Sequence, residues 1–131
     1  MPQTSSPPRH VFVYGTLRRG DDNDITRLTP PPRWIGSATT AGTMYHFGRY
    51  PGVLLGGDSR VVGEVYEISP ELERVLDEIE ELYPQQTNEY FKRTVSVQVD
   101  GRSVECIVYE INEGLVEGKP LINSGDWVQD R

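Results

Sequence analysis

Val95-Ser96-Val97-Gln98-Val99-Asp100-Gly101-Arg102-Ser103-Val104-Glu105-Cys106-Ile107-Val108-Tyr109-Glu110-Ile111 alternates apolar and polar residues on both sides of Asp100-Gly101. In an extended chain Val95, Val97 and Val99 share one face, and Val104, Cys106 and Val108 repeat the pattern after the turn. Asp-Gly tolerates the positive φ angles of a two-residue hairpin turn, so the stretch predicts two antiparallel strands. Just upstream, Ser69-Pro70-Glu71 supplies a capping hydroxyl, a proline at the first helical position and acids in the first turn. Leu72, Val75, Leu76, Ile79 and Tyr83 then recur at helical spacing until Pro84, which predicts one main helix.

Further upstream the signals are strand-like. His10 to Tyr14 is a short apolar run ended by Gly15, and it reads as a buried central strand that opens into a loop running to Asp24. Trp34 to Phe47 reads as a hairpin broken at Gly36 and Gly42, with a turn following at Tyr50-Pro51-Gly52. Val53 to Leu55 and Val61 to Ile68 read as two strands separated by Gly56-Gly57-Asp58, and Asn112 to Gly118 as a short helical turn or loop. Fourteen Val, seven Ile and seven Tyr against two Ala support sheet over helix. The expected fold class is α+β: a small mixed sheet, curled toward a barrel, with one main α-helix. At 131 residues the chain is expected to hold one domain over 10–131, preceded by a flexible tail over 1–9.

Charge is uneven along the chain. Residues 1–63 carry +3 and residues 64–131 carry −10, and all twelve Glu lie in the second part. This acidity reads as a solvated helix face and strand exteriors. A net charge of −7 argues against a nucleic-acid or anionic-membrane surface, both of which need clustered cations. No run approaches the roughly 18 apolar residues of a membrane span. The start, Met1 to Pro8, lacks the charged-then-apolar pattern of a secretory signal. Cys106, the single cysteine, falls in an apolar alternation and reads as a buried small hydrophobe, which suits the cytoplasm. His10 and His46 stand in no metal-ligand spacing, so no zinc site is expected.

Two features are candidates for chemistry. At about 100° per residue, Glu80 falls about 80° and Glu73 about 100° from Leu72, at the edges of the apolar stripe, whereas Asp77, at about 140°, and Arg74, Glu78 and Glu81 face solvent. Partial desolvation at such an edge favours the neutral carboxyl, as a general acid/base requires. The alternative is a Glu whose stem packs on the core while its head reaches water. The second feature is the loop Gly15-Thr16-Leu17, whose backbone N–H groups can converge on an anion such as a carboxylate, or which is a simple turn. It is not a phosphate loop, because neither glycine-rich phosphate motif occurs. Tyr45, Tyr50, Tyr66, Phe91 and Tyr109 read as core.

The run Val11-Phe12-Val13-Tyr14-Gly15-Thr16-Leu17-Arg18-Arg19-Gly20, followed by Asn23, resembles the Tyr-Gly-Thr-Leu signature of the γ-glutamylcyclotransferase-like family. Tyr50-Pro51-Gly52-Val53, Val62-Gly63-Glu64-Val65-Tyr66, Leu76-Asp77-Glu78-Ile79-Glu80 and Phe91-Lys92-Arg93 are similar to its later blocks, in the same order. The resemblance implies a small barrel-like α+β domain. It implies a γ-glutamyl amine or peptide as small-molecule substrate, with release of 5-oxoproline and a free amine and no need for a metal or cofactor. Glu80 carries over as the catalytic acid/base, and Tyr14, Gly15, Thr16 and Leu17 as the segment that binds the γ-glutamyl unit. The chain departs from the pattern at Glu81, and at Phe91, where the block has Tyr and where only Tyr90 can supply a hydroxyl. The alternative function is a non-catalytic small-molecule binding or regulatory protein that uses the same pocket.

Overall fold

The computed structural model describes residues 9–80 and 88–130. Five strands form a closed barrel in the order β1-β3-β2-β4-β5. They are β1 (Arg9–Val13), β2 (Arg33–His46), β3 (Pro51–Ile68), β4 (Tyr90–Val99) and β5 (Arg102–Ile111), with the helix α1 (Pro70–Ile79) between β3 and β4. Neighbours pair antiparallel except β1 and β5, which meet in parallel at Val11 and Ile107 and close the barrel. The sheet is therefore mixed and curled, as the sequence predicts. The β4–β5 hairpin turns at Asp100 (φ 50°) and Gly101 (φ 77°), as Asp-Gly dictates.

Three expectations change. β2 is one unbroken strand rather than a hairpin, and its ladder with β3 shifts register between Trp34 and Gly36 and between Ala41 and Gly42. A Cβ on Gly36 would come within 2.9 Å of Val99 Cγ1, and one on Gly42 within 3.0 Å of the Leu54 carbonyl oxygen. These glycines mark bends where other backbone or side chains press against the strand. β3 is likewise one strand, and residues 56–59 leave the ladder between the pairs Gly42–Leu55 and Ala41–Arg60. The reversal before it lies over 47–50, ahead of the expected Tyr50-Pro51-Gly52 turn, with Phe47 N–H donating to the Tyr50 carbonyl at 2.9 Å.

Ser69 caps α1, accepting from Leu72 N–H at 3.1 Å. The helix ends at Ile79 with Glu80 as its C-cap, and the Glu80 N–H still donates to the Leu76 carbonyl at 2.9 Å. The expected continuation through Glu81 and Tyr83 to the Pro84 stop lies outside the described residues. So does the expected tail, apart from Arg9, the first residue of β1. Asp77 does not face solvent as the helical angle suggests. Its carboxylate accepts from Lys92 Nζ at 3.0 Å and from Tyr109 Oη at 2.7 Å. Lys92 also pairs with Glu73, so one β4 cation offsets the repulsion of two acids four residues apart.

Alternation along the strands builds two cores. Phe12, Tyr14, Val65, Val97, Val99, Cys106 and Val108 point into the barrel, together with Trp127 from the short helix α2 (Trp127–Asp130). Val11, Val13, Tyr66, Ile68, Ile107, Tyr109 and Ile111 point outward and are covered by Leu72 and Leu76 of α1 and by Leu17 and Ile25 of the loop after β1. Cys106 is 1% exposed, and burial pushes its thiol up to about 12, consistent with a packing residue. Among the described residues no helix is long and apolar enough to cross a membrane.

A Cβ on Gly63 would lie 2.3 Å from the Val13 carbonyl oxygen and 2.7 Å from Phe12 Cζ. Backbone cannot yield there without opening the β1–β3 ladder. Gly63→Ala is expected to lower stability by about 3 kcal/mol, the upper part of the overpacking range, read as a lower urea midpoint. Asp24 supplies a pH-dependent contribution. It caps the 3₁₀ turn Ile25–Arg27 and accepts from Gly20 N–H (2.8 Å), Thr26 N–H (2.9 Å) and Thr26 Oγ1 (2.6 Å). Burial opposes its charge, but the Thr26 hydroxyl and the two amides outweigh burial and hold the carboxyl below its ordinary 3.8. A carboxyl lowered on folding stabilises above its unfolded value and loses that contribution as pH falls through the folded one. The stability difference between wild type and Asp24→Asn is therefore expected to be constant near neutrality and to shrink below about pH 4. A difference unchanged down to pH 2, measured by urea unfolding, would contradict this.

Candidate functional site

A cavity of about 340 Å³ opens where β1 and β5 end and α1 runs out. Its walls come from four places: the exit of β1 with its loop, the 47–50 reversal and the start of β3, the end of α1, and the first residues of β4 together with Tyr109 of β5. Tyr14, Gly15, Thr16, Leu17 and Glu80 all line it. The signature loop and the edge-placed glutamate, 63 or more residues apart in sequence, thus share one cavity. Pro51 lies so close over the β1 exit that a Cβ on Gly15 would approach its Cγ to 2.7 Å. Glycine is therefore what allows β3 to start across the end of β1.

The loop turns its carbonyls inward. Arg18 N–H donates to Gly15 O (3.0 Å), Asn23 N–H to Thr16 O (2.9 Å) and Ile25 N–H to Leu17 O (2.9 Å). Asn23 Nδ2 also donates to Thr16 Oγ1 at 3.0 Å. The N–H groups of Thr16 and Leu17 meet no backbone acceptor among the described residues, and backbone N–H groups left open in a loop are able to bind an anion.

Phenols form much of the remaining wall. Tyr14 Oη donates to the Tyr109 carbonyl (2.6 Å), Tyr90 Oη to the Pro51 carbonyl (3.2 Å) and Tyr109 Oη to Asp77 Oδ1 (2.7 Å). Tyr50 Oη donates to Glu89, and both line the cavity. Burial first holds the Tyr14, Tyr90 and Tyr109 phenols well above the usual range; the hydrogen bond to Asp77 raises Tyr109 further, and the nearby Glu80 charge adds to all three. All three therefore stay neutral at ordinary pH and act as fixed walls and donors. Glu80, Glu89 and Arg49 line the same cavity.

Sequence reading missed several of these residues. Arg49 and Glu89 line the cavity, as does Tyr50, expected in the core; Tyr109 packs in the core as expected and also lines it, beside Tyr90, the hydroxyl named as the alternative to Phe91. Strand alternation explains the Tyr90–Phe91 pair. Tyr90, opposite Ile111, is buried in the outer core at the start of β4, while Phe91 lies on the other face and is half-buried, with the Arg93 guanidinium 5.4 Å from its ring. The Tyr50-Pro51-Gly52 motif was a usable signal for the 47–50 wall. Arg49 and Glu89 carry none, because nothing in a turn or at a strand edge tells which way a charged side chain points.

The chain matches, over residues 11–129, the family model described as gamma-glutamyl cyclotransferase, AIG2-like. It is 33% identical over 126 residues to the gamma-L-glutamyl-butirosin B gamma-glutamyl cyclotransferase of Niallia circulans, a match covering 93% of this chain and 72% of the relative. To the gamma-glutamylaminecyclotransferase of Mus musculus it is 30% identical over 120 residues, covering 76% of each. The solved structure of an aig2-like protein from Mus musculus superposes with a TM-score of 0.72 at 29% identity, covering 92% of this chain and 90% of that one. YkqA from Bacillus subtilis gives 0.73 at 28% identity, and there the chain spans 40% of the larger protein. By family model, relatives and fold together, this chain belongs to the gamma-glutamyl cyclotransferase, AIG2-like family.

Proposed function

We propose that the protein is a cytoplasmic γ-glutamylcyclotransferase-type enzyme that converts a γ-glutamyl amine or peptide to 5-oxoproline and the free amine, with Glu80 as general acid/base. The observation that carries this reading is that Glu80 and the Gly15-Thr16-Leu17 loop line one cavity. A γ-glutamyl group ends in an α-ammonium and an α-carboxylate and carries its scissile carbonyl at the other end. The open amides of Thr16 and Leu17 suit the α-carboxylate, and the Glu80 carboxyl suits the α-ammonium.

In the proposed reaction Glu80 takes a proton from the α-ammonium, and the freed amine attacks the γ-carbonyl carbon. A new C–N bond closes a five-membered ring and passes charge to the carbonyl oxygen. The tetrahedral intermediate then collapses: the bond to the leaving nitrogen breaks while Glu80 returns the proton to it, and the second proton, still on the positively charged ring nitrogen, passes through the freed Glu80 carboxylate to the released amine, which departs as an ammonium. Atoms balance without water, and nothing is oxidised or reduced. Attack within one molecule makes the fold of the bound substrate the chief requirement, and a cavity walled by buried, hydrogen-bonded side chains suits it. Glu80 lies at the C-terminal end of α1, which has no basic residue in its last turn.

Incubating the protein with a panel of γ-glutamyl amides and measuring 5-oxoproline tests the activity. On any substrate that is turned over, Glu80→Gln is expected to lower kcat by about 10²–10⁴-fold, the range for removal of a general acid/base, with little change in the urea midpoint. A Gln variant as active as wild type would remove Glu80 from the mechanism.

A further inference from the structure

Arg18 follows the signature loop directly, yet its side chain is 13% exposed and turned away from the cavity wall into a polar cluster. Its Nε donates to Glu64 Oε2 at 3.0 Å, and its Nη1 to Asp126 Oδ1 at 2.9 Å. The other Glu64 oxygen accepts from Arg19 N–H at 2.9 Å and from Tyr66 Oη at 2.9 Å. Glu64 itself is 7% exposed. Every charge in the cluster has a geometrically sound partner, the condition under which buried polar groups fix one arrangement.

Asp126 is held as firmly as Arg18. Gly125, at φ +69°, packs so tightly on β3 that a Cβ would lie 2.0 Å from the Arg60 carbonyl oxygen. Its own carbonyl accepts from Val62 N–H at 2.8 Å. Trp127, 3% exposed, anchors the next position in the barrel core. The segment Gly125-Asp126-Trp127 therefore presents one carboxylate, at a fixed height, to the arginine that ends the signature loop.

We propose that Arg18 is a positioning residue, and that Asp126 and Glu64 clamp it so that the Thr16 and Leu17 amides keep their place in the cavity opposite Glu80. This rests on the γ-glutamyl reading for its substrate, but the clamp itself acts on the loop whether or not turnover occurs. The loop amides bind the α-carboxylate alike in ground and transition states, so loosening the clamp weakens binding uniformly: KM rises and kcat holds.

The test uses γ-glutamyl-butylamide as substrate and compares Asp126→Ala, Asp126→Asn and Arg18→Lys with Val97→Ala, a core truncation on β4 that lowers stability without touching the clamp. Asp126→Ala is expected to raise KM about tenfold with kcat within about twofold. Asp126→Asn keeps an oxygen acceptor and recovers most of that loss. Arg18→Lys, which cannot reach both acids, shifts KM in the same direction as Asp126→Ala. Hydrogen exchange at the Asn23 and Ile25 amides, which donate to Thr16 and Leu17 carbonyls, is expected to quicken about tenfold in Asp126→Ala and Arg18→Lys but not in Val97→Ala. If the clamp variants and Val97→Ala move KM and exchange alike, the cluster is merely structural and the proposal falls. If wild type releases no 5-oxoproline, the functional reading fails, and the exchange comparison alone decides the clamp.

Discussion

A five-residue strand that must be buried on both faces governs this structure. β1 closes the barrel between β3 and β5, so Phe12 and Tyr14 fill the interior while Val11 and Val13 must be covered from outside. That second requirement fixes where α1 lies, because Leu72 and Leu76 complete the outer core against Val11, Val13 and Tyr66. It also folds the chain after β1 back over its own strand, with Leu17 and Ile25 joining the same cluster. The loop that follows β1 and the end of the helix are thereby drawn to one edge of the barrel. The cavity is what remains between them, and its position follows from burial of a strand too short to reach past it.

Charge pairing then ties the basic first part of the chain to the acidic second part. Arg9 pairs with Glu73, Arg18 with Glu64 and Arg33 with Glu67. The first and third are at exposed arginines and contribute little to stability. The second is buried and supplies geometry more than energy. Sequence pattern assigns the acidity to solvated surfaces, and that holds only in part. Glu64, Glu73, Asp77 and Glu110 each accept from a cation on another element. Helical angle alone misplaces Asp77, because it measures distance from an apolar stripe and not the reach of Lys92 or Tyr109 from the sheet beneath.

Local chemistry is legible wherever one residue type has one backbone consequence. Asp100-Gly101 specifies its hairpin, Ser69-Pro70 specifies its helix start, and the angular position of Glu80 on the helix separates it from the solvent-facing acids around it. Glycine is legible only in part. Gly36, Gly42, Gly56 and Gly57 read as strand ends, yet they lie within two long strands, since a glycine signals either a turn or a close approach and sequence does not say which. The long, bent β2 and β3 are hidden for that reason. The cavity wall is hidden for another. Tyr50, Tyr90 and Tyr109 have the composition of core residues, and what makes them site residues is that β3, β4 and β5 bring their faces to the same open end.

The phenols also set the surroundings of the Glu80 carboxyl. Tyr14, Tyr90 and Tyr109 are buried, and their hydroxyls donate to the Tyr109 carbonyl, the Pro51 carbonyl and Asp77. Burial is the chief reason they stay neutral; the hydrogen bond to Asp77 adds to it at Tyr109, and the negative charge of Glu80 adds to it at all three. The hydrogen-bonded rings themselves add no charge to a cavity that Glu80 and Glu89 already line. Removing the Tyr109 hydroxyl would leave Asp77 with Lys92 alone and would loosen the helix from β5 one turn before Glu80. The neutrality of the wall and the placement of the carboxyl are therefore one constraint, set by packing α1 against β5.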